Sequence, residues 1–224
     1  MTIEPQYKDN YYRPTSDCMA FSETAAVSYA NDYVQHFDTL PNIYLCAYPG
    51  YKDAESFLSL RPFFKHAKGT GVEVGTFEGY NAVNVIKYCP IDKLYCIDPY
   101  IPYNDVVGGL GNFSVQAFDA LHRKVVDRVS TKAEVVRKPS LVAVNDWLDN
   151  SLDFVYLDGD HSRENVTREI TSWLPKIKVG GILGGHDCRE NGVSGAITEW
   201  NYKNPEYDNK IFIQSSDWWI IKEC

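Results

Sequence analysis

The chain has 224 residues, 44% of them hydrophobic and 23% charged, with a formal net charge of −8. That is enough apolar material for one globular core. An acidic balance without a basic block excludes a general nucleic-acid surface, and no apolar run approaches the roughly 18 residues of a membrane span.

The N-terminus, Met1-Thr2-Ile3-Glu4-Pro5-Gln6-Tyr7, lacks the basic and then apolar regions of a secretory signal. A soluble, cytoplasmic protein is expected. Six cysteines (18, 46, 89, 96, 188, 224) are scattered without C-x-x-C spacing, which reads as free thiols and argues against a zinc knuckle or disulfide framework.

In chain order, residues 1–16 are polar and tyrosine-rich, with two prolines, and form an arm. Ser22 is placed to cap a helix running to about Phe37. A second helix covers 54–67, interrupted near Pro62. These N-terminal helices (residues 1–68) are expected either to cover a substrate pocket or to build a homo-oligomer contact, ahead of a cofactor-binding domain over 69–224.

That domain opens at Gly71-Val72-Glu73-Val74-Gly75-Thr76-Phe77-Glu78-Gly79-Tyr80-Asn81. It reads as an apolar strand, a glycine turn and a helix starting near Tyr80, whose first N–H groups face the turn. A dinucleotide fold wants G-x-G-x-x-G with no acid beside the pyrophosphate. The pattern here is E-x-G-x-x-x-G, and an acid suits a cationic group. A second strand, Leu94-Tyr95-Cys96-Ile97-Asp98, ends in the usual partner of ribose hydroxyls. Ribose plus a cationic tail without phosphate describes S-adenosylmethionine. At these residues the sequence resembles the class I methyltransferases.

From Gly71 onward strands and helices alternate, which predicts a mostly parallel sheet with helices on both faces. Strands are expected near 71–75, 93–98, 133–137, 153–158 and 181–186, and helices near 80–88, 114–128, 141–149, 163–173 and 193–202. The segment 99–113 reads as a lid over the cofactor. Two β-rich runs, 210–213 and 218–221, make a C-terminal antiparallel hairpin, matching the seven-stranded Rossmann-like sheet of the class I methyltransferases. Trp147, Trp173 and Trp200 read as core, and Tyr100 and Tyr103 as pocket walls.

Chemistry concentrates in Asp153-Phe154-Val155-Tyr156-Leu157-Asp158-Gly159-Asp160-His161 and in Gly184-Gly185-His186-Asp187. Both runs close strands at the ligand-binding edge of an open α/β sheet. Carboxylates with an imidazole suit Mg²⁺ or Mn²⁺. The plainer reading makes such acids helix caps, and Asp160, followed by Ser162 and Glu164, partly fits it. A metal-dependent phosphohydrolase would use the same Asp/His cluster, but it leaves Glu73 and the glycine turn without a role. A non-catalytic cofactor-binding module is a third possibility, and a nicotinamide dehydrogenase is the poorest fit.

The runs Y-L-D-G-D-H-S and W-L-P-K-I-K-V-G-G-I-L-G-G-H-D resemble methyltransferase family 24 and, more distantly, the catechol and caffeoyl-CoA O-methyltransferases, over residues 71–222. The resemblance implies O-methylation of a small hydroxylated molecule. It places Glu73, Gly75, Phe77 and Gly79 around the methionine end of the cofactor, Asp98 on the ribose and Ser140 near the adenine. Relatives often carry Gly-Asp where Lys138-Pro139 stands. It also puts a divalent ion on Asp158, His186 and Asp187, although relatives carry Asp-Asn or Glu-Asp where His186-Asp187 stands. His161 matches the catechol enzymes' lysine base, and an ordinary imidazole pKa near neutrality suits that role.

Overall fold

The structure is a computed structural model that describes residues 51, 53–101, 115–129, 132–208 and 210–223. The expected helix over 22–37, most of the 99–113 segment with Tyr103, and Cys18, Cys46 and Cys224 lie outside the described residues. Tyr51–Tyr100 and Leu121–Cys224 form one compact unit.

The first helix, α1 (Ala54–Leu60), starts where the Asp53 carboxylate accepts the Ser56 N–H at 2.8 Å. It stops at Arg61 because Pro62 disfavours helical geometry in the residue before it. The chain then makes a 3₁₀ turn, Pro62–Lys65. The interruption expected at Pro62 is therefore present.

Strands and helices then alternate: β1 (Gly69–Val74), α2 (Tyr80–Tyr88), β2 (Ile91–Ile97), α3 (Val115–Arg128), β3 (Ala133–Val136), α4 (Ser140–Ala143), β4 (Leu152–Leu157), α5 (Arg163–Trp173), β5 (Ile177–Gly185) and α6 (Asn191–Lys203). A hairpin of β6 (Phe212–Gln214) and β7 (Asp217–Ile221) closes the fold. The helix expected over 141–149 is shorter, one α-turn followed by a 3₁₀ turn at Val144–Asp146.

The seven strands lie in the order β3-β2-β1-β4-β5-β7-β6. The first five are parallel, while β7 runs antiparallel to both β5 and β6. This is the Rossmann-like class I methyltransferase sheet. Strand order reverses between β1 and β4, the crevice where ligands bind in open α/β sheets.

Alternation along the strands fills two cores. Val72, Val74, Val155, Leu157 and Leu183 face α5 and α6, with Trp173 and Trp200 buried among them. Phe154, Tyr156, Ile182 and Trp219 face the opposite way, against α2, Phe57, Phe63 and Phe64. Trp147 packs against the edge of the first core. Trp173 and Trp200 are therefore core side chains, while Trp147 is only partly buried. The segment 54–67 forms part of the second layer: Phe57, Phe63 and Phe64 are almost wholly buried. Cys89, Cys96 and Cys188 are buried free thiols.

Candidate functional site

The turn after β1 is built from left-handed backbone. Gly75 has φ +83° and Gly79 φ +74°, with Gly79 standing immediately before α2. A Cβ on Gly75 would lie 2.0 Å from the Asp158 carbonyl oxygen, so only glycine lets the end of β1 touch the chain leaving β4. Phe77, between them, also has a positive φ of 44°, which costs about 1–2 kcal/mol in a non-glycine residue. At Gly79 the Val125 side chain lies 3.0 Å from where a Cβ would be.

Glu73 is 2% exposed. One carboxylate oxygen accepts a 2.7 Å hydrogen bond from the Asn81 amide on α2, and Oε2 is buried without a well-formed hydrogen bond among the described residues, the Thr76 hydroxyl lying beside the carboxyl. Burial pushes this carboxyl up to about 8, and the Asn81 bond only partly opposes that rise. An orphaned acceptor beside a glycine turn fits a cationic ligand group, as S-adenosylmethionine would bring. Asn81 was not singled out in the sequence, although it lies only two residues beyond Gly79, in the first turn of α2.

Asp98 has a second task besides any ribose contact. Its Oδ2 accepts the Phe77 N–H at 2.9 Å and its Oδ1 the Tyr100 N–H at 2.8 Å. It thus clasps the loop after β1 to the loop after β2. Burial raises its carboxyl above the ordinary range, and the two backbone hydrogen bonds restrain the rise. Tyr100, expected as a pocket wall, is fully buried and donates its hydroxyl to the Phe77 carbonyl at 3.1 Å. Ser140 opens α4, and its hydroxyl accepts the Trp173 indole N–H at 2.9 Å.

At the ends of β4 and β5 the second group assembles. Asp158 Oδ1 lies 3.8 Å from both His161 Nε2 and His186 Nδ1. Asp187 reaches His186 Nδ1 at 2.9 Å with one oxygen and His161 Nε2 at 3.4 Å with the other. Glu190, unsuspected from the sequence, lies 3.1 Å from His161 Nδ1. It arrives there because Gly192 lets the start of α6 press onto the His161 backbone, where a Cβ would sit 2.0 Å from the carbonyl oxygen. Asp187 itself has φ 54°. Asp160 accepts the Ser162 N–H, but the cap of α5 is Ser162 itself, whose hydroxyl accepts the Asn165 N–H, so the capping role weighed for Asp160 belongs to its neighbour.

Burial alone would depress the His161 pKa, but Asp158, Asp187 and Glu190 outweigh it and carry the imidazole up to about 9. The near-neutral value expected from the sequence is thus corrected: His161 rests as imidazolium at pH 7. Burial would also raise Asp158, but His161, His186 and Arg61 together hold it below the ordinary range.

Arg61 is the residue the sequence concealed. It is 6% exposed, and its Nη1 lies 2.7 Å from His186 Nε2. A guanidinium only donates, so His186 Nε2 must accept, and Nδ1 then carries the proton toward Asp187. Asp158, His186 and Asp187 do lie close enough together for a shared cation. With Arg61 in place, however, His186 has no lone pair to give, and two carboxylates remain of the expected three ligands. The donor set does not fit a resident divalent ion. His161, Asp187 and Glu190 converge equally closely, but each His161 nitrogen already faces a carboxylate.

A family model described as a methyltransferase domain (Methyltransf_24) matches residues 72–188, just over half the chain. The chain belongs to this family. It is an S-adenosylmethionine-dependent methyltransferase, and the phosphohydrolase and dehydrogenase readings fall away. No curated protein sequence matches it. Among solved structures, the O-methyltransferase NovP is similar at 15% identity with a TM-score of 0.53, covering 89% of this chain and 100% of NovP. A precorrin-6y C5,15-methyltransferase from Geobacter metallireducens is similar at 11% identity with a TM-score of 0.49, covering 70% of this chain and 71% of that one. Among the described residues no helix of this methyltransferase is long and apolar enough to cross a membrane.

Proposed function

We propose that this methyltransferase acts on a hydroxyl oxygen of a small molecule, with His161 as the proton acceptor. The observation that supports this reading is the contact of Gly75, in the glycine turn, with the Asp158 backbone at the end of β4, with His161 Nε2 3.8 Å from the Asp158 carboxylate. An acceptor held there would lie between the cofactor turn and an acid–imidazole cluster. NovP, which shares the fold, is an O-methyltransferase, so an oxygen acceptor is the first class to test.

When bound, S-adenosylmethionine supplies a methyl group on a cationic sulfur, and the C–S bond breaks as the acceptor's C–O bond forms. Glu73, through its unpartnered oxygen, and the turn at Gly75, Phe77 and Gly79 hold the methionine end. Asp98 offers its remaining lone pairs to the ribose, and Ser140 stands by the adenine. Positive charge disappears during transfer, so the chain contributes mainly alignment and exclusion of water. His161 takes the hydroxyl proton in its neutral form, whose fraction grows about tenfold per pH unit up to about pH 9. Asp158 and Glu190 orient the ring.

Calorimetric titration of S-adenosylmethionine separates the two ends. Asp98→Ala should weaken cofactor binding by at least about tenfold, whereas Asp158→Ala should leave it within about twofold and abolish transfer. Loss of cofactor binding in Asp158→Ala would sink the division between a cofactor end and an acceptor end.

A further inference from the structure

We infer that Arg61 is the resident cation of the acceptor end, holding His186 from its Nε2 side in a form that cannot ligate a divalent ion shared with Asp158 and Asp187. The inference rests on the acceptor site proposed above. It follows from placement. Arg61 sits where α1 breaks before Pro62, and the adjoining segment is pinned from two directions. Phe63 and Phe64 are buried against Tyr156 with ring centroids 4.9 and 4.6 Å away, and the Phe63 N–H donates to Asp217 at 3.1 Å. The guanidinium is thereby delivered into the cluster at 6% exposure.

Two consequences follow from its contact with His186. The hydrogen bond fixes the tautomer, with Nε2 bare toward Arg61 and Nδ1–H facing Asp187 at 2.9 Å, so neither nitrogen can ligate. A permanent positive charge within hydrogen-bonding distance of a would-be ligand also repels a dication entering the same cluster. Arg61 Nε remains buried without a partner among the described residues, so a charged donor is left over for an anionic or hydroxyl oxygen. Arg61 is in this sense a positioning residue for the acceptor.

The test uses Mn²⁺ alone as the probe, titrated calorimetrically into chelator-treated full-length protein. The wild type should show no saturable site. Arg61→Met, which keeps the stem and removes the charge, should gain Mn²⁺ affinity by at least about tenfold, and Arg61→Lys should not. A saturable wild-type site that disappears in Asp158→Asn would overturn the inference, as would an Arg61→Met protein that binds Mn²⁺ no better than the wild type. Nitrogen-15 spectra of His186 provide a variant-free arm: a proton on Nδ1 is expected, and a proton on Nε2 would refute the assignment. S-adenosylmethionine is titrated into each protein in parallel. Failure to bind in the wild type would overturn the functional reading, while normal cofactor binding with an unexpected Mn²⁺ result would overturn only the role of Arg61.

Discussion

Glu73 holds a buried carboxyl that accepts from Asn81 and has the Thr76 hydroxyl beside it, and burial pushes its pKa up to about 8. At pH 7 most of the population is therefore protonated before the cofactor arrives. A sulfonium or ammonium group beside Oε2 favours the carboxylate and draws the pKa back toward its ordinary range. S-adenosylmethionine binding at pH 7 should release about one proton, and the release should fade above pH 9. Binding heats measured in buffers of different ionisation enthalpy report this directly. Glu73→Gln should erase the buffer dependence, and a wild type without it would show that no cation approaches Glu73. Arg61 and His186 illustrate a different lesson at this scale. Their relation depends on which nitrogen has a lone pair, and one contact decides it.

Asp217 joins the segment before β1 to the far side of the sheet. It begins β7 with no solvent exposure, accepts the Tyr156 hydroxyl at 2.8 Å and receives the Phe63 N–H with its other oxygen. Removing the carboxylate strands two buried donors. Asp217→Ala should therefore cost about 2–4 kcal/mol, lowering the melting temperature by about 5–15 °C. A loss under about 1 kcal/mol in urea unfolding would show that the 3₁₀ turn at Pro62–Lys65 is not pinned this way. Elements were also what the sequence displayed best. The glycines of the β1 turn, the apolar run closed by Asp98, and the break at Pro62 are local signals, and each placed its element to within a few residues. The helix after β3 was drawn too long because Val144 to Trp147 continue an apolar pattern while the backbone tightens into a 3₁₀ turn.

For the whole molecule, several buried groups make stability depend on pH in the same direction, Glu73 and His161 among them. Glu73 rises on folding from its ordinary 4.5 to about 8, and His161 from 6.5 to about 9. A group whose pKa is raised by folding contributes fully below its unfolded value, and the contribution is lost as pH climbs through the folded one. Burial likewise raises Glu78 and Glu169 to about 7 and Asp217 to about 6, so stability should fall throughout the range from pH 4.5 to 9. Urea midpoints across this range check it. Glu73→Gln should flatten the lower window and His161→Gln the upper, and a midpoint that rises from pH 6.5 to 8 would contradict both assignments. None of this was legible in the chain. The motif residues Glu73, Gly75, Asp98, Asp158 and His161 could be named because their spacing follows from strand, turn and helix. The pKa of His161 depends on three carboxylates from two loops, those after β4 and β5. Arg61 reaches His186 across 125 positions of sequence, a separation at which no periodicity survives.

Arg61 also lies upstream of the segment 72–188 that carries the family likeness. The acceptor end thus combines Asp158, His161, His186 and Asp187 from within that segment with Arg61 from outside it. Changes around the break before Pro62 can alter the charge and shape offered to an acceptor without touching the turn that holds the methyl donor. Grafting that short stretch between relatives would be a way to exchange acceptor preference while the sheet and the donor site stay as they are.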